Sequence, residues 1–415
     1  MTGSAKPVND VSEILKKLEA PSTMATAKSQ ERNRIRLVKE LESQTSIVIS
    51  GIGDAGMIAL TKAFQLRAFP RLEKLSILYN RLTQKSMWDL ARAIGTGNLS
   101  NLQMLNIKMN HGFGDAGAKA LAKAMESRKL KKLQHLYLMN DNIGEHGLLA
   151  IADALETGHV SSLKVLHIGN NNDDSLVFHN QGARALAAAV RSNHLPNLED
   201  LTLRGVAGEE GVIQLLKAME TSKLGAFKQL DLRVCEIGLR GARALANMLR
   251  SPQFATLKML DLQSNVSIGD EGVIELAAAF RSGNLNSLEI LYLDNISMGE
   301  KGLLELASLL EAGHLPSLQE LYAGASEYTE TSAKALVRAY QENTSLVAHI
   351  MVDWPSTSWG NQVESFRERN VTLVESLRLR QRAGANTNAS ANDVKQREAQ
   401  REEREAAAEG EEALQ

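Results

Sequence analysis

The chain has 415 residues, a formal charge of −2, nine histidines and one cysteine. Near-neutral charge argues against a dedicated nucleic-acid binder, which needs a basic stripe to meet phosphates. A single cysteine excludes a disulfide framework and a multi-thiolate zinc site, and no apolar run approaches the length that crosses a bilayer.

In chain order, residues 1–45 are polar, with two helical patches, "VSEILKKLEA" and "ERNRIRLVKELES". The second, apolar at Ile35, Leu37, Val38 and Leu41, is expected to cap the open end of a repeat array that starts at Ser46. The start, "MTGSAKPVND", lacks a basic region followed by an apolar stretch, so no signal peptide is read there. A cytoplasmic, monomeric protein without membrane insertion is the expectation.

The array opens with the degenerate copy "SIVISGIGDAG" at Ser46. "LEKLSILYN" from Leu72 recurs as "LQMLNIKMN", "LQHLYLMND", "LKVLHIGNN", "LEDLTLRGV", "FKQLDLRVC", "LKMLDLQSN", "LEILYLDNI" and "LQELYAGAS", then decays to "LVAHIMVDW" from Leu346. The first residues step by 30, 31, 30, 35, 29, 30, 31, 30 and 28. In L-x-x-L-x-L the last two leucines are two apart and share one face of a short strand. A turn follows, often Ile-Gly-Asp/Glu-x-Gly, as at Ile52, Ile143 and Ile268. The spacing then becomes helical: Leu148, Ile151, Ala152 and Leu155 fall on one stripe. Asp54, Asp115, Glu145, Asp270 and Glu300 precede or open these helices, where they favour the positive end of the helix dipole.

Strand plus helix at this period predicts an α/β leucine-rich-repeat solenoid of about eleven repeats over 46–354. Strands stack about 4.8 Å apart whereas helices need roughly 10 Å. The result is a horseshoe with a parallel sheet on its concave face and helices on its convex face. The repeat length, the L-x-x-L-x-L-x-x-N/C core and helices of the "IGDEGVIELAAAF" type resemble the ribonuclease-inhibitor-like leucine-rich-repeat family. That family includes ribonuclease inhibitors, Ran GTPase-activating proteins and the repeat regions of NOD-like receptors. After the array, residues 355–382, with Trp359, Phe366, Val371, Leu373, Val374 and Leu377, are expected to form a C-terminal capping helix. Residues 383–415 read as a polar linker and a charged tail, disordered or a solvated helix.

The motifs offer little chemistry. Cys235 stands at the ninth position, where other copies carry Asn80, Asn110, Asn171 and Asn265. It is expected to point inward, and a buried thiol without a neighbouring cation is inert. His135 and His167 can reach the concave surface on neighbouring strands, but no third ligand is evident. The sequence has no G-x-x-x-x-G-K-[ST], H-E-x-x-H or G-x-S-x-G motif. No catalytic residue, cofactor or metal site is expected.

The concave face remains. The third, fifth, seventh and eighth positions of each copy point away from the core. In the N-terminal half they include Leu78, Tyr79, Met104, Lys108, Met109, His135, Tyr137, Met139, Val165 and His167, an apolar surface. In the middle they include Asp200, Arg204, Asp231, Arg233, Asp261 and Asp294, and further on Tyr292 and Tyr322. Arg204 and Arg233 stand side by side on adjacent strands, and so do Asp231 and Asp261; like charges at sheet spacing repel. Either diagonal Asp–Arg contacts relieve them, or a partner does. Tyr, Met and Arg are the types that contribute most at interfaces.

The 35-residue step arises in "NNDDSLVFHNQG", a turn about five residues longer than the others, with Leu176, Val177 and Phe178 at its tip. These observations predict a non-enzymatic scaffold holding an unidentified protein partner on the concave sheet and this turn. The family resemblance implies two alternatives. One is GTPase activation of the Ran type, for which Arg81 in "YNRLTQ" is the sole candidate arginine. The other is a ribonuclease-inhibitor-like regulator, against which the near absence of cysteine counts.

Overall fold

The computed structural model describes residues 39, 41–80, 82–169, 180–324, 329–352 and 357–376. Eleven strands form one parallel sheet in strict chain order: β1 (Ser46–Ser50), β2 (Lys74–Leu78), β3 (Met104–Asn106), β4 (His135–Tyr137), β5 (Val165–His167), β6 (Asp200–Thr202), β7 (Gln229–Asp231), β8 (Met259–Asp261), β9 (Ile290–Tyr292), β10 (Glu320–Tyr322) and β11 (His349–Met351). Between successive strands lie α1 (Gly53–Leu66), α2 (Gln84–Gly95), α3 (Gly114–Glu126), α4 (Glu145–Glu156), α5 (Asn180–Arg191), α6 (Glu209–Thr221), α7 (Leu239–Leu249), α8 (Gly269–Phe280), α9 (Glu300–Glu311) and α10 (Glu330–Glu342).

The register follows the repeat. Equivalent positions pair, as in Leu105 with Leu136, Leu166 with Leu201 and Leu230 with Leu260. Each central leucine is buried, while its neighbours from β3 to β5 are half-buried on the other face. The predicted helical stripe Leu148, Ile151, Ala152 and Leu155 is wholly buried. One continuous apolar layer between sheet and helices runs from Leu41 to Val363. A fully buried leucine contributes about 1.5–3 kcal/mol, and since strands of three residues are too short to hold alone, this layer holds the sheet.

The Ile-Gly-Asp/Glu-x-Gly motif is a relay between repeats. Asp115, in the first turn of α3, accepts hydrogen bonds through Oδ1 from the N–H groups of Gly144 (2.7 Å) and Gly147 (2.9 Å), where α4 begins. Glu209 does the same for Gly238 and Gly241 (both 2.9 Å) at the start of α7. Asp270 accepts from Gly299 (2.7 Å) and Gly302 (2.8 Å) at the start of α9. Asp54 receives the Thr83 N–H (2.9 Å) and the Ser86 hydroxyl. Asn180 receives the Gly211 N–H (2.8 Å).

The motif predicts that Asp54, Asp115 and Asp270 serve the dipole of their own helix; together with Glu209 and Asn180 they also cap the next one. The first N–H groups of a helix lack partners inside it, and here the preceding repeat supplies the acceptor. Glycine is needed for the approach: a Cβ on Gly147 would lie 2.6 Å from Asp115 Oδ1. Asp115→Ala is therefore expected to cost about 1–2 kcal/mol. The readouts are a lower melting temperature and faster amide exchange at Gly144 and Gly147, with exchange at Gly299 unchanged.

A second ladder runs beneath the turns. Asn80, Asn110 and Asn265 are buried. Asn110 Oδ1 accepts from the Asn80 N–H (3.0 Å), and its amide donates to the Ile77 and Ile107 carbonyls (2.8 and 2.6 Å). Asn265 repeats this toward Leu232 and Leu262. Cys235 occupies the equivalent seat, fully buried, its thiol directed at the Leu203 and Arg233 carbonyls (3.3 and 3.4 Å). Burial pushes that thiol up to about 12, so it is protonated and unreactive at neutral pH.

At the C-terminal end, residues 357–376 are helical, with Val363, Trp359 and Phe366 against the apolar layer. Asn370 there donates to the carbonyls of Tyr340 and Leu346, both at 3.0 Å. Leu41 is buried at the other end. Residues 1–38, with most of both helical patches, and the tail from 377 onward lie outside the described residues. Among the described residues no helix is long and apolar enough to cross a membrane.

Candidate functional site

The strand alternation places the third, fifth and seventh positions of every copy on the sheet face opposite the helices. The eighth residue leaves the strand with positive φ in each described turn of the array, as at Tyr79 (55°), Met109 (66°) and Val234 (54°). This left-handed step swings the chain toward its helix and tips the eighth side chain outward. Tyr79 is 63% exposed in consequence.

In the N-terminal half the fifth-position side chains stand in register: Asn106, Tyr137, His167 and Thr202. The Tyr137 ring stacks with His135 at 6.4 Å and meets the edge of His167 at 5.0 Å. Lys108 lies 4.7 Å above it. Met109 and Met139 flank this group, half-buried. In the C-terminal half Tyr292 stacks on Tyr322 at 4.5 Å, and the Tyr322 hydroxyl donates to Glu320 (3.1 Å). Asp294 accepts the Gly324 N–H (3.0 Å).

The charged middle is more closed. Asp231 and Asp261 are each only 3% exposed. Arg233 lies between them, with Nη2 at 2.5 Å from Asp231 Oδ2 and Nε at 3.1 Å from Asp261 Oδ2. Each aspartate also accepts a backbone N–H two residues on, from Arg233 (3.1 Å) and Gln263 (3.0 Å). Diagonal Asp–Arg contact thus relieves the like-charge pairs internally. Burial, then the neighbouring Asp231, raises the Asp261 carboxyl to about 6 against the opposing Gln263 N–H and the two arginines.

Arg204 differs. It makes no ion pair or hydrogen bond among the described residues, and its Nε is shielded from solvent. Burial first, and repulsion from Arg233 second, lower its affinity for its proton, against the attraction of Asp231 and Asp261.

His167 Nε2 is 3.0 Å from Asp200 Oδ2, but off the line a hydrogen bond needs. Among the described residues no group of three His, Cys, Asp or Glu is placed to hold a metal. Leu176, Val177 and Phe178 of the long turn, and Arg81, lie outside the described residues. Two features are not anticipated by the sequence pattern: the burial of Asp231 and Asp261, and the isolation of Arg204. The first had a signal, since Asn106, Asp231 and Asp261 share a fifth position from which a short polar side chain can reach the N–H two residues on. The second depends on where Arg233 points, which no pattern encodes.

Two stretches, residues 98–122 and 255–277, match the family described as Leucine Rich repeat. The chain is a leucine-rich-repeat solenoid. No curated protein matches the sequence significantly. Similar solved structures include leiomodin-1 actin-binding site 2, 16% identical with a TM-score of 0.35 over 42% of this chain and 96% of that one. Another is the Rad7 and Elc1 complex of yeast, at 16% identity and TM-score 0.40 over 83% and 87%. A third is an internalin of Listeria monocytogenes, at 18% and 0.38 over 84% and 95%. Likeness at this level carries no argument about what the leucine-rich-repeat array binds.

Proposed function

We propose that the chain is a non-enzymatic protein-interaction scaffold that holds a partner protein on the inner face of its sheet. The observation that carries this reading is the run of open aromatic and sulfur side chains there. Tyr79, Met109, Tyr137, Met139, Tyr292 and Tyr322 stand on a face that contributes nothing to the core, and Tyr79 is 63% exposed. A sheet face meant only for water carries polar residues in alternation, whereas Tyr and Met are enriched where proteins meet. The rigid backbone beneath, ordered by the asparagine ladder, presents these groups at little entropic cost on binding. Within the leucine-rich-repeat fold we assign the ribonuclease-inhibitor-like type, supported by the repeat length and by an α-helix of 11 to 14 residues after each strand from β1 to β10.

The test is capture of partners from a native extract by immobilised full-length protein. Tyr137→Ala combined with Tyr292→Ala is expected to reduce recovery of the bound protein at least tenfold. Trp88→Ala, on the outer helical face, is expected to leave it unchanged. The reverse pattern would move the interface to the helices. Arg233→Glu is a poor probe, because it sets a third carboxylate beside two buried ones.

A further inference from the structure

The polar centre of the inner face has two cations in different states. Arg233 is neutralised by Asp231 and Asp261, whose oxygens it occupies. Arg204, one strand away at the same position of the repeat, has no acid within ion-pair distance among the described residues, and its Nε is shielded from water without an acceptor. Asp231 and Asp261 cannot turn to it, since Arg233 and the backbone N–H groups of Arg233 and Gln263 already use them.

Beside Arg204, on β5 and β6, His167 Nε2 and Asp200 Oδ1 are likewise shielded and make no hydrogen bond. Lys108, at the same repeat position as Arg204, has a tyrosine ring and no carboxylate as its contact. Of the two seats between them at this position, the one nearer Lys108 carries Met139 and the one beside Arg204 carries Gly169, two residues past β5, where a Cβ would lie 3.0 Å from the Cβ of Arg204. Gly169 thus offers Arg204 no side-chain partner on that flank. Buried polar atoms are nearly always partnered in folded proteins, and those that are not ask for an absent partner. A guanidinium takes a carboxylate through two parallel N–H bonds.

We propose that Arg204 is the anchor for a carboxylate of an acidic segment of the partner protein, with Lys108 as a second, outer attraction for the same segment. The proposal rests on the inner face being the interface and names the chemistry that this interface selects. Arg204 acts as the specific fork, because its donors are planar and partly dried. Lys108, a point charge over the Tyr137 ring, contributes mainly to attraction at a distance. A bound carboxylate would relieve the repulsion that Arg204 feels from Arg233.

The test uses full-length protein and fluorescein-labelled octaglutamate, with octalysine and octauridylate as competing chemistries, followed by fluorescence anisotropy at low salt. Octaglutamate is expected to bind best. Its affinity is expected to fall at least tenfold in Arg204→Gln and a few-fold in Lys108→Gln, and to be unchanged in Arg243→Gln on the outer face. Arg204→Lys, which keeps the charge and loses the fork, is expected to recover only part of the binding. The Arg204 Nε–Hε resonance is expected to shift on adding octaglutamate to the wild type.

Octaglutamate affinity that is indifferent to Arg204→Gln, or tighter binding of octalysine or octauridylate, would overturn the proposal. Reduced melting temperature in Arg204→Gln with unchanged octaglutamate affinity would also overturn it, assigning Arg204 to offsetting the aspartate pair. If these fail while Tyr137→Ala with Tyr292→Ala still abolishes capture, the inner-face scaffold stands and only the carboxylate anchor falls.

Discussion

Replacing Arg233 by methionine is expected to destabilise the array by about 3–5 kcal/mol at neutral pH. The substitution keeps the length of the side chain but leaves Asp231 and Asp261, each 3% exposed and paired on adjacent strands, with their cation removed. An uncompensated buried charge costs far more than an exposed ion pair contributes. The sign of the pH dependence follows from Asp261, whose carboxyl already sits at about 6 through burial. A carboxyl raised in the folded state disfavours folding increasingly as pH rises from its unfolded value toward its folded one. Without Arg233 the Asp261 carboxyl rises further, so the deficit should shrink as pH falls toward about 6, where Asp261 takes up its proton even with Arg233 present. Adding Asp261→Asn to Arg233→Met should recover part of the loss. Amide exchange across β7 and β8, together with the melting temperature, reads the effect; a change under about 0.5 kcal/mol would contradict the ion triad.

Asp141→Asn is expected to act in the opposite direction. Asp141 is fully buried at the ninth position of its repeat, where its Oδ1 accepts the Asn110 N–H at 2.7 Å. At Asn110 and Asn265 the same seat holds an amide that accepts from the preceding repeat and donates to two or three carbonyls. A carboxylate can do the accepting and none of the donating, and a protonated carboxyl has one donor where the amide has two. Burial raises the Asp141 carboxyl from 3.8 to about 8, against the lowering influence of the Asn110 N–H and Lys108. Between these values the folded chain holds a proton that the unfolded chain has released, so stability falls as pH rises from about 4 to 8. Asparagine removes this titration and keeps the acceptor. The variant should gain roughly 2–5 kcal/mol at pH 8, little at pH 4, and show a flatter stability profile between them. Equal melting temperatures at pH 8 would sink this account.

The repeat arithmetic carries most of the fold because the spacing of leucines is the packing itself. Two leucines two apart make the strand's inner face, and the switch to helical spacing makes the stripe that covers it. Every predicted feature of this kind at Leu148 through Leu155 is present. The binding face is legible only as a set of positions. Alternation places Tyr137, Tyr292 and Tyr322 on it, since strand geometry alone determines side. It does not reveal that Arg233 turns onto two aspartates and that Arg204 does not, because that choice is made by side-chain torsions and local burial. The same limit applies to Asp54, Asp115 and Asp270. Their placement at helix starts is written in the motif, but their reach into the following repeat appears only once the repeats are stacked.

That reach gives the array a polarity. Each acid of the relay serves the repeat that comes after it in the chain, and the helix start at Gly144, Gly238 or Gly299 finds its acceptor in the repeat that comes before. During synthesis from the N-terminus, the acceptor is therefore in place before the helix that needs it emerges. For these caps, a truncation that removes later repeats only leaves a carboxylate free to face water. One that removes earlier repeats strips the next helix of its cap. The helix caps therefore depend on the preceding repeat, whereas the ladder beneath the turns depends on the following one, since the N–H groups of Asn80 and Cys235 find their acceptors in Asn110 and Asn265; the two ends of the stack lose different partners when they erode.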